Sequence, residues 1–310
     1  MAEQARHVRI DPDGVSAYAE TLAASSGLRA EPNTSDPGRH RIGDDETTAA
    51  FVISLDAINF GSGWFPTIRK RPGMSGYHTI ASSWREQHER NGTFGARFLT
   101  DLTRAECCAI FEQVDDEEEP ATELMELYTS ALNDLGAFVL EEHDGSFLTL
   151  VAAAGNSADA LVGILEGMPY FHDVAEYHGV DVPLYKRAQI TALDLSMAFD
   201  NRGPGRFDDL DRLTMFADNL VPHVLRVDGV LDVDEDLVGR IDAGMLIAPG
   251  TDEEIELRAC AVHAVELLVA DVGRRGVETT AGAIDTLLWN RGAAERYKSR
   301  PRHRTRTVAY

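Results

Sequence analysis

Asp56 and Asn59 lie in Leu55-Asp-Ala-Ile-Asn-Phe-Gly-Ser-Gly-Trp-Phe-Pro66, the stretch of this chain richest in potential chemistry. It follows the apolar run Ala49 to Ile53 and sets a carboxylate and a carboxamide beside three aromatics and a Gly-Ser-Gly break. Asp56 accepts hydrogen bonds, Asn59 both donates and accepts, and Phe60, Trp64 and Phe65 offer flat faces to a planar ring. The same pattern also describes a core helix that ends at a glycine cap, with Asp56 a satisfied buried polar group. Two further aspartates invite chemistry. Leu213, Phe216, Leu220 and Val224 keep helical spacing, so Pro222 is expected inside a helix, where it frees the carbonyl four residues back and bends the chain. That residue is Asp218, flanked by Phe216 and bulky apolar neighbours, and the alternative is an ordinary local hydrogen bond. Asp285 and Trp289 are four apart and share a helix face.

Charge restricts the partners. The 310 residues carry a net charge of −23, whereas proteins that grip a nucleic-acid backbone do so with clustered Lys and Arg. Positive charge is concentrated in two places, Arg69-Lys70-Arg71 and the tail with Arg291, Arg296, Lys298, Arg300, Arg302, Arg304 and Arg306. A local basic spot on an acidic body suits a small anion better than a polymer; a solvated tail is the plain alternative. No apolar run approaches the roughly 18 residues of a membrane span, and Met-Ala-Glu-Gln-Ala-Arg-His lacks the regions of a signal peptide. Cys107, Cys108 and Cys260 supply neither a disulfide framework nor a CxxC knuckle. A cytoplasmic, soluble protein is expected, a monomer or small homo-oligomer with no cofactor.

The elements needed to hold these residues read as mostly helical, in one domain over 1–310. Asp11-Pro12 starts a helix, residues 31 to 45 form a loop, and together these first 45 residues are scaffolding. The spacing predicts a helix over Thr47 to Asn59, stopped by Gly61 and Gly63, with Asp56 and Asn59 one turn apart. Helices are expected over Ala121 to Leu140, after an Asn156 cap, over Glu253 to Val272 and over Thr280 to Trp289. Short strands are expected near Gly92 to Leu99 and Gly145 to Val151. Tyr170 to Tyr177 and Leu184 to Phe199 read as helices joined by a tight hairpin over Gly179 to Pro183, a helix-hairpin-helix pattern, with Lys186 and Arg187 at a helix start suited to a phosphate.

Several segments together resemble one family. LDAINFGSGWFP, GSF at 145, VPLYKRAQI at 182, LTMFADNLVP at 213, EIELRACAVHAVELL at 254 and HRTRTVAY at the end are similar to the queuosine salvage proteins, in that family's order from about residue 50 onward. The resemblance implies a fold similar to helix-hairpin-helix DNA glycosylases, and Val221-Pro-His-Val-Leu-Arg226 echoes their DTHVxR stretch. The acid position there is Val221, with Asp218 about one turn earlier, so the catalytic aspartate does not transfer by alignment. The implied reaction is hydrolysis of queuosine 5′-monophosphate to queuine and ribose 5-phosphate. Asp218 is then the favoured catalytic carboxylate, with Asp56 and Asp285 the other candidates. Asn59 would join Asp56 in reading the base edge, and Phe60, Trp64 or Phe65 would stack on it. Lys186, Arg187, His303, Arg304 and Arg306 would neutralise the phosphate, and Tyr185, Phe216 and Trp289 are further substrate contacts. Competing readings are a non-enzymatic binder of a modified nucleobase, a DNA-repair glycosylase, which the net charge opposes, and a metal hydrolase. The last rests on His172, Asp173, Glu176 and His178, with His172 and Glu176 at i, i+4.

Overall fold

A computed structural model describes residues 1–25, 41–92 and 94–310. Its helices are α1 (Pro12–Ala24), α2 (Asp45–Ala57), α3 (Gly76–Asn91), α4 (Ala96–Asp101), α5 (Arg104–Ile110), α6 (Pro120–Glu142), α7 (Phe147–Ala153), α8 (Ala158–Leu165), α9 (Lys186–Ala198), α10 (Leu220–Val227), α11 (Glu235–Asp242), α12 (Asp252–Arg274), α13 (Ala281–Arg291) and α14 (Glu295–Lys298). The strands are β1 (Val8–Ile10), β2 (Val174–Tyr177), β3 (Val180–Pro183) and β4 (Leu231–Val233). The class is mainly helical, with two antiparallel two-stranded sheets, β1–β4 and β2–β3.

Two apolar cores form around two helices. Every residue of α2 from Thr48 to Ala57 is buried, as befits a helix that is apolar all round, and α2 packs against α3, α6, α7 and α9. The second core gathers α1, α10, α13 and β1 on α12. Glu256 of α12 is fully buried and accepts the backbone N–H groups of Arg6, His7 and Val8 at 2.6–3.0 Å and the Tyr177 hydroxyl at 2.8 Å. One carboxylate thereby ties β1 and the β2–β3 hairpin to the same helix.

Local signals explain most boundaries. Asp11 accepts the N–H of Asp13 and Pro12 opens α1 as expected; Thr280 caps α13. Ser157, not Asn156, caps α8, Asn156 itself being left-handed with φ 65°. The expected loop over residues 31 to 45 lies outside the described residues up to position 40. Helix α2 stops at Ile58, before the glycines. Those glycines serve close packing instead: a Cβ on Gly61 would meet Leu124 Cδ1 at 2.8 Å, and one on Gly63 would meet the Thr305 carbonyl oxygen at 2.4 Å.

Four expectations are overturned. Gly92 to Leu99 and Gly145 to Val151 hold no strand among the described residues; Ser146 caps α7 by accepting the N–H of Thr149. Tyr170 to Tyr177 is not a helix, because His178 and Gly179, at φ 51° and 80°, close a two-residue hairpin that pairs Val174 with Pro183. The hairpin expected over Gly179 to Pro183 is thus a β-hairpin spanning residues 174–183, and it follows α8 without the helix expected before it. Pro222 bends nothing. Helix α10 begins at Leu220, so the proline sits in the first turn, where its missing N–H needs no partner. Residues 213 to 218 stay non-helical, and two of their N–H groups go to tertiary acceptors: Thr214 donates to Gln189 Oε1 at 2.8 Å and Phe216 to Asp285 Oδ1 at 3.1 Å.

Candidate active site

The three candidate aspartates, Asp218 favoured among them, all exert their charge on one buried lysine. Asp56 is in the last turn of α2, 1% exposed, and its Oδ1 accepts the Asn59 Nδ2 at 3.3 Å. Lys186 opens α9, and its Nζ donates to the Asn59 backbone oxygen at 2.9 Å and to Asn59 Oδ1 at 3.0 Å. Burial pulls the lysine down to about 8, opposed by the charges of Asp218, Asp56 and Asp285. All three carboxylates therefore act on a single ammonium. Burial also pushes the Asp56 carboxyl well above the carboxylate range, and repulsion from Asp194 adds to it. Asp194 lies on α9 with Arg187 and Thr191, a polar i, i+4, i+7 stripe on the helix that packs against α2.

Lys186 is held from both directions. Its backbone N–H donates to Asp173 Oδ2 at 3.1 Å. Tyr185, just before α9, adopts a left-handed conformation at φ 45°, which costs a non-glycine residue about 1–3 kcal/mol. Its backbone N–H is taken by the Asp173 carbonyl oxygen. The hydrogen bond to Glu166, with burial, pushes its phenol up to about 12. Asp173 in turn meets the Arg258 guanidinium through both oxygens, at 3.0 and 2.7 Å.

Asp218 is half-buried, and its Oδ1 accepts the N–H groups of Leu220 and Val221 at 2.8 and 2.9 Å, capping α10. The ordinary local bond is therefore present, and it orients the carboxylate. Asp285 Oδ1 accepts the N–H of the buried Phe216 at 3.1 Å, two residues before Asp218 in the chain. Next to Asp218, Asn219 Nδ2 donates to the His303 carbonyl oxygen at 2.9 Å and draws the tail in. Burial of the Arg302 guanidinium lowers it from its ordinary value, and the nearby Asp218 charge opposes that.

Other candidates have different partners. Phe60 is buried against Tyr128 and Tyr170, with the Arg187 guanidinium 5.0 Å from its centroid. Arg187 also lies over Phe171 and donates to the Ala57 carbonyl oxygen at 2.5 Å, a clamp on the end of α2. Trp64 donates to Glu123 at 2.7 Å while Arg306 covers its ring and binds the same carboxylate at 3.2 Å. Phe65 packs over Gly76, and Arg304 donates to the Gly244 carbonyl oxygen. His303 is buried, and burial pulls its imidazole down to about 3. Trp289 meets Tyr77 and His78, each at 5.9 Å. The site thus gathers Asp56, Asn59, Lys186, Phe216, Asp218 and Asp285; Phe60, Trp64, Phe65, Arg187, Arg304 and Arg306 are engaged in packing or ion pairs.

Sequence reasoning missed Asp194, the Asp173–Arg258 pair and Arg302 as site residues. The stripe on α9 was the available signal for Asp194; nothing local links residues 173 and 258. The metal reading loses its geometric basis, since Glu176 is in a strand, Asp173 is engaged by Arg258, and His178 Nε2 bonds Asp252 at 3.0 Å. Two surface cavities of about 310 and 320 Å³, around Arg71 and around Phe207, involve none of the site residues.

A family model described as queuosine salvage protein matches residues 39–310. A Sphaerobacter thermophilus protein named queuosine 5′-phosphate N-glycosylase/hydrolase is 36% identical over 315 residues, covering 100% of this chain and 95% of its own length. A Mus musculus protein of the same name is 30% identical, with coverage of 100% and 96%. A Dictyostelium discoideum protein, also so named, is 38% identical over 86% of this chain and 79% of its own. With the matched model spanning far more than half its length, this chain belongs to the queuosine salvage protein family.

Proposed function

We propose that this chain hydrolyses the N-glycosidic bond of queuosine 5′-monophosphate, releasing queuine and ribose 5-phosphate. The observation that carries the reading is full-length similarity to relatives named for that hydrolysis, in a chain where buried Lys186 is bonded to Asn59 and Asn59 to Asp56. The carboxylates come from both hydrophobic cores, which supports treating the chain as one functional unit. Breaking the bond sends its electron pair to the base nitrogen and leaves an oxocarbenium-like sugar. Asp218, held by two backbone N–H groups, stabilises that cation and accepts a proton from the attacking water. Water oxygen bonds to the anomeric carbon, and the proton that Asp218 takes from the water passes on to the departing nitrogen, which returns Asp218 to its carboxylate. A 7-deaza base has no N7 to protonate, so stabilising the cation carries more of the barrier.

Phe216, whose N–H is held by Asp285, is the aromatic assigned to the base in this reading. Of the tail cations, Arg302 suits the 5′-phosphate better than Arg304 or Arg306, which already have partners. Mass spectrometry of queuosine 5′-monophosphate and queuosine, each incubated with wild type and Asp218→Asn, tests the reading. Queuine from wild type, faster from the phosphate and reduced about 10²–10³-fold in the variant, is the expected result. Near-normal turnover by Asp218→Asn would remove Asp218 from the mechanism, and no queuine from wild type would leave a nucleotide binder.

A further inference from the structure

Asn59 has its carboxamide committed at both ends, Nδ2 to Asp56 and Oδ1 to Lys186. An amide flipped end for end would turn two N–H donors toward an ammonium, which has no acceptor. Asp56 on one side and Lys186 on the other therefore hold a single orientation, in which two Asn59 oxygens seat the lysine. Asp56 is 1% exposed and lies behind this seat, with Asn59 between it and the lysine.

We propose that Asp56 and Asn59 are positioning residues rather than base readers: Asp56 sets the Asn59 amide, and Asn59 holds the Lys186 ammonium in place. The inference rests on the hydrolase reading and adds two roles to it. The charged groups around the lysine are Asp56 with Asp194 behind it, Asp218 from the segment before α10, Asp285 from α13, and the neighbouring Arg187. The Asp173 carboxylate meets only its backbone N–H. In the hydrolase, the ammonium supplies the positive charge that offsets the Asp218 and Asp285 carboxylates. Its proton loss would end activity on the alkaline side, near the value of about 8 to which burial pulls it.

The test is the pH dependence of kcat together with ¹³C NMR titration of the lysine Cε carbons in the full chain. Asn59→Asp, of nearly the same shape, replaces the amide oxygen with a carboxylate and should move both the Lys186 titration and the alkaline limb up by about one pH unit or more. Asp56→Ala should lower kcat about tenfold, a loss of the size one positioned group supplies, and Asp56→Asn, which keeps an acceptor for Asn59, should restore most of it. An alkaline limb unmoved in a folded, active Asn59→Asp variant would overturn the proposal, as would Asp56→Asn no better than Asp56→Ala. The NMR titration needs no turnover, so a wild type that releases no queuine sinks the hydrolase reading while the Lys186 shift still decides the seat.

Discussion

Two buried ionic groups lie on either side of Lys186, and they are built differently. Asp173 and Arg258 are matched at every point: both carboxylate oxygens meet the guanidinium, Oδ2 also accepts the Lys186 N–H, and Arg258 Nε donates to the Ala217 carbonyl oxygen. The pairing outweighs desolvation and raises the arginine above its ordinary value. Asp56 and Lys186 share no direct bond; an amide lies between them, one Asp56 oxygen has no hydrogen-bond partner, and the acid is raised while the lysine is lowered. A fully paired buried ion pair fixes backbone, here the junction of the β2–β3 hairpin with α9 and α12. An incompletely matched set keeps groups near the point of proton exchange, which is where catalytic carboxylates are found.

Breaking the matched pair should have the largest effect. Arg258→Met leaves Asp173 buried without its countercharge and should cost about 3–5 kcal/mol in chemical denaturation. Lys186→Met, in contrast, removes a desolvated charge along with its two bonds to Asn59. Its unfolding free energy should change far less than that of Arg258→Met, while turnover falls about 100-fold, the scale of one lost electrostatic group. Arg302→Ala should lower kcat/KM about tenfold for the 5′-monophosphate and leave the unphosphorylated nucleoside unaffected, as for one lost charge-assisted hydrogen bond.

The Asp56 comparison can be sharpened by pH. The acid is raised on folding, so its stabilising contribution is complete below the unfolded value of about 4 and is lost as pH rises toward the folded one. Asparagine does not titrate, so Asp56→Asn should gain Tm relative to wild type by a few degrees between pH 4.5 and pH 7.5; a constant difference would show that Asp56 ionises normally. The smallest effect belongs to an exposed pair. Arg9 and Asp232 are 76% and 59% exposed at 2.5 Å, and Arg9→Ala should cost at most about 0.5 kcal/mol by denaturation.

Local chemistry was legible wherever it acts over one or two turns. Helix α6, the Asp11-Pro12 start of α1 and the one-turn spacing of Asp56 and Asn59 all follow from spacing and caps. Segments whose N–H groups have distant acceptors were not. The run from Leu213 has helical periodicity, yet Gln189 and Asp285 hold it open, so Pro222 became a helix start instead of a kink. Strands β1 and β4, three residues each and more than 200 positions apart, have too little length for periodicity to register.

The same division holds for the candidate site. Composition and motif order determined the helical class, the family resemblance and the set of three aspartates, because those depend on residue type and near-neighbour spacing. Which aspartate faces which cation was decided by tertiary structure. Asp56, Lys186, Asp218 and Asp285 are far apart in sequence, and their charges meet only once the α2–α9 contact and the seam between the two cores exclude water. Exclusion of water is also what lowers the lysine and raises the acid, and no residue can achieve that through its neighbours in the chain alone.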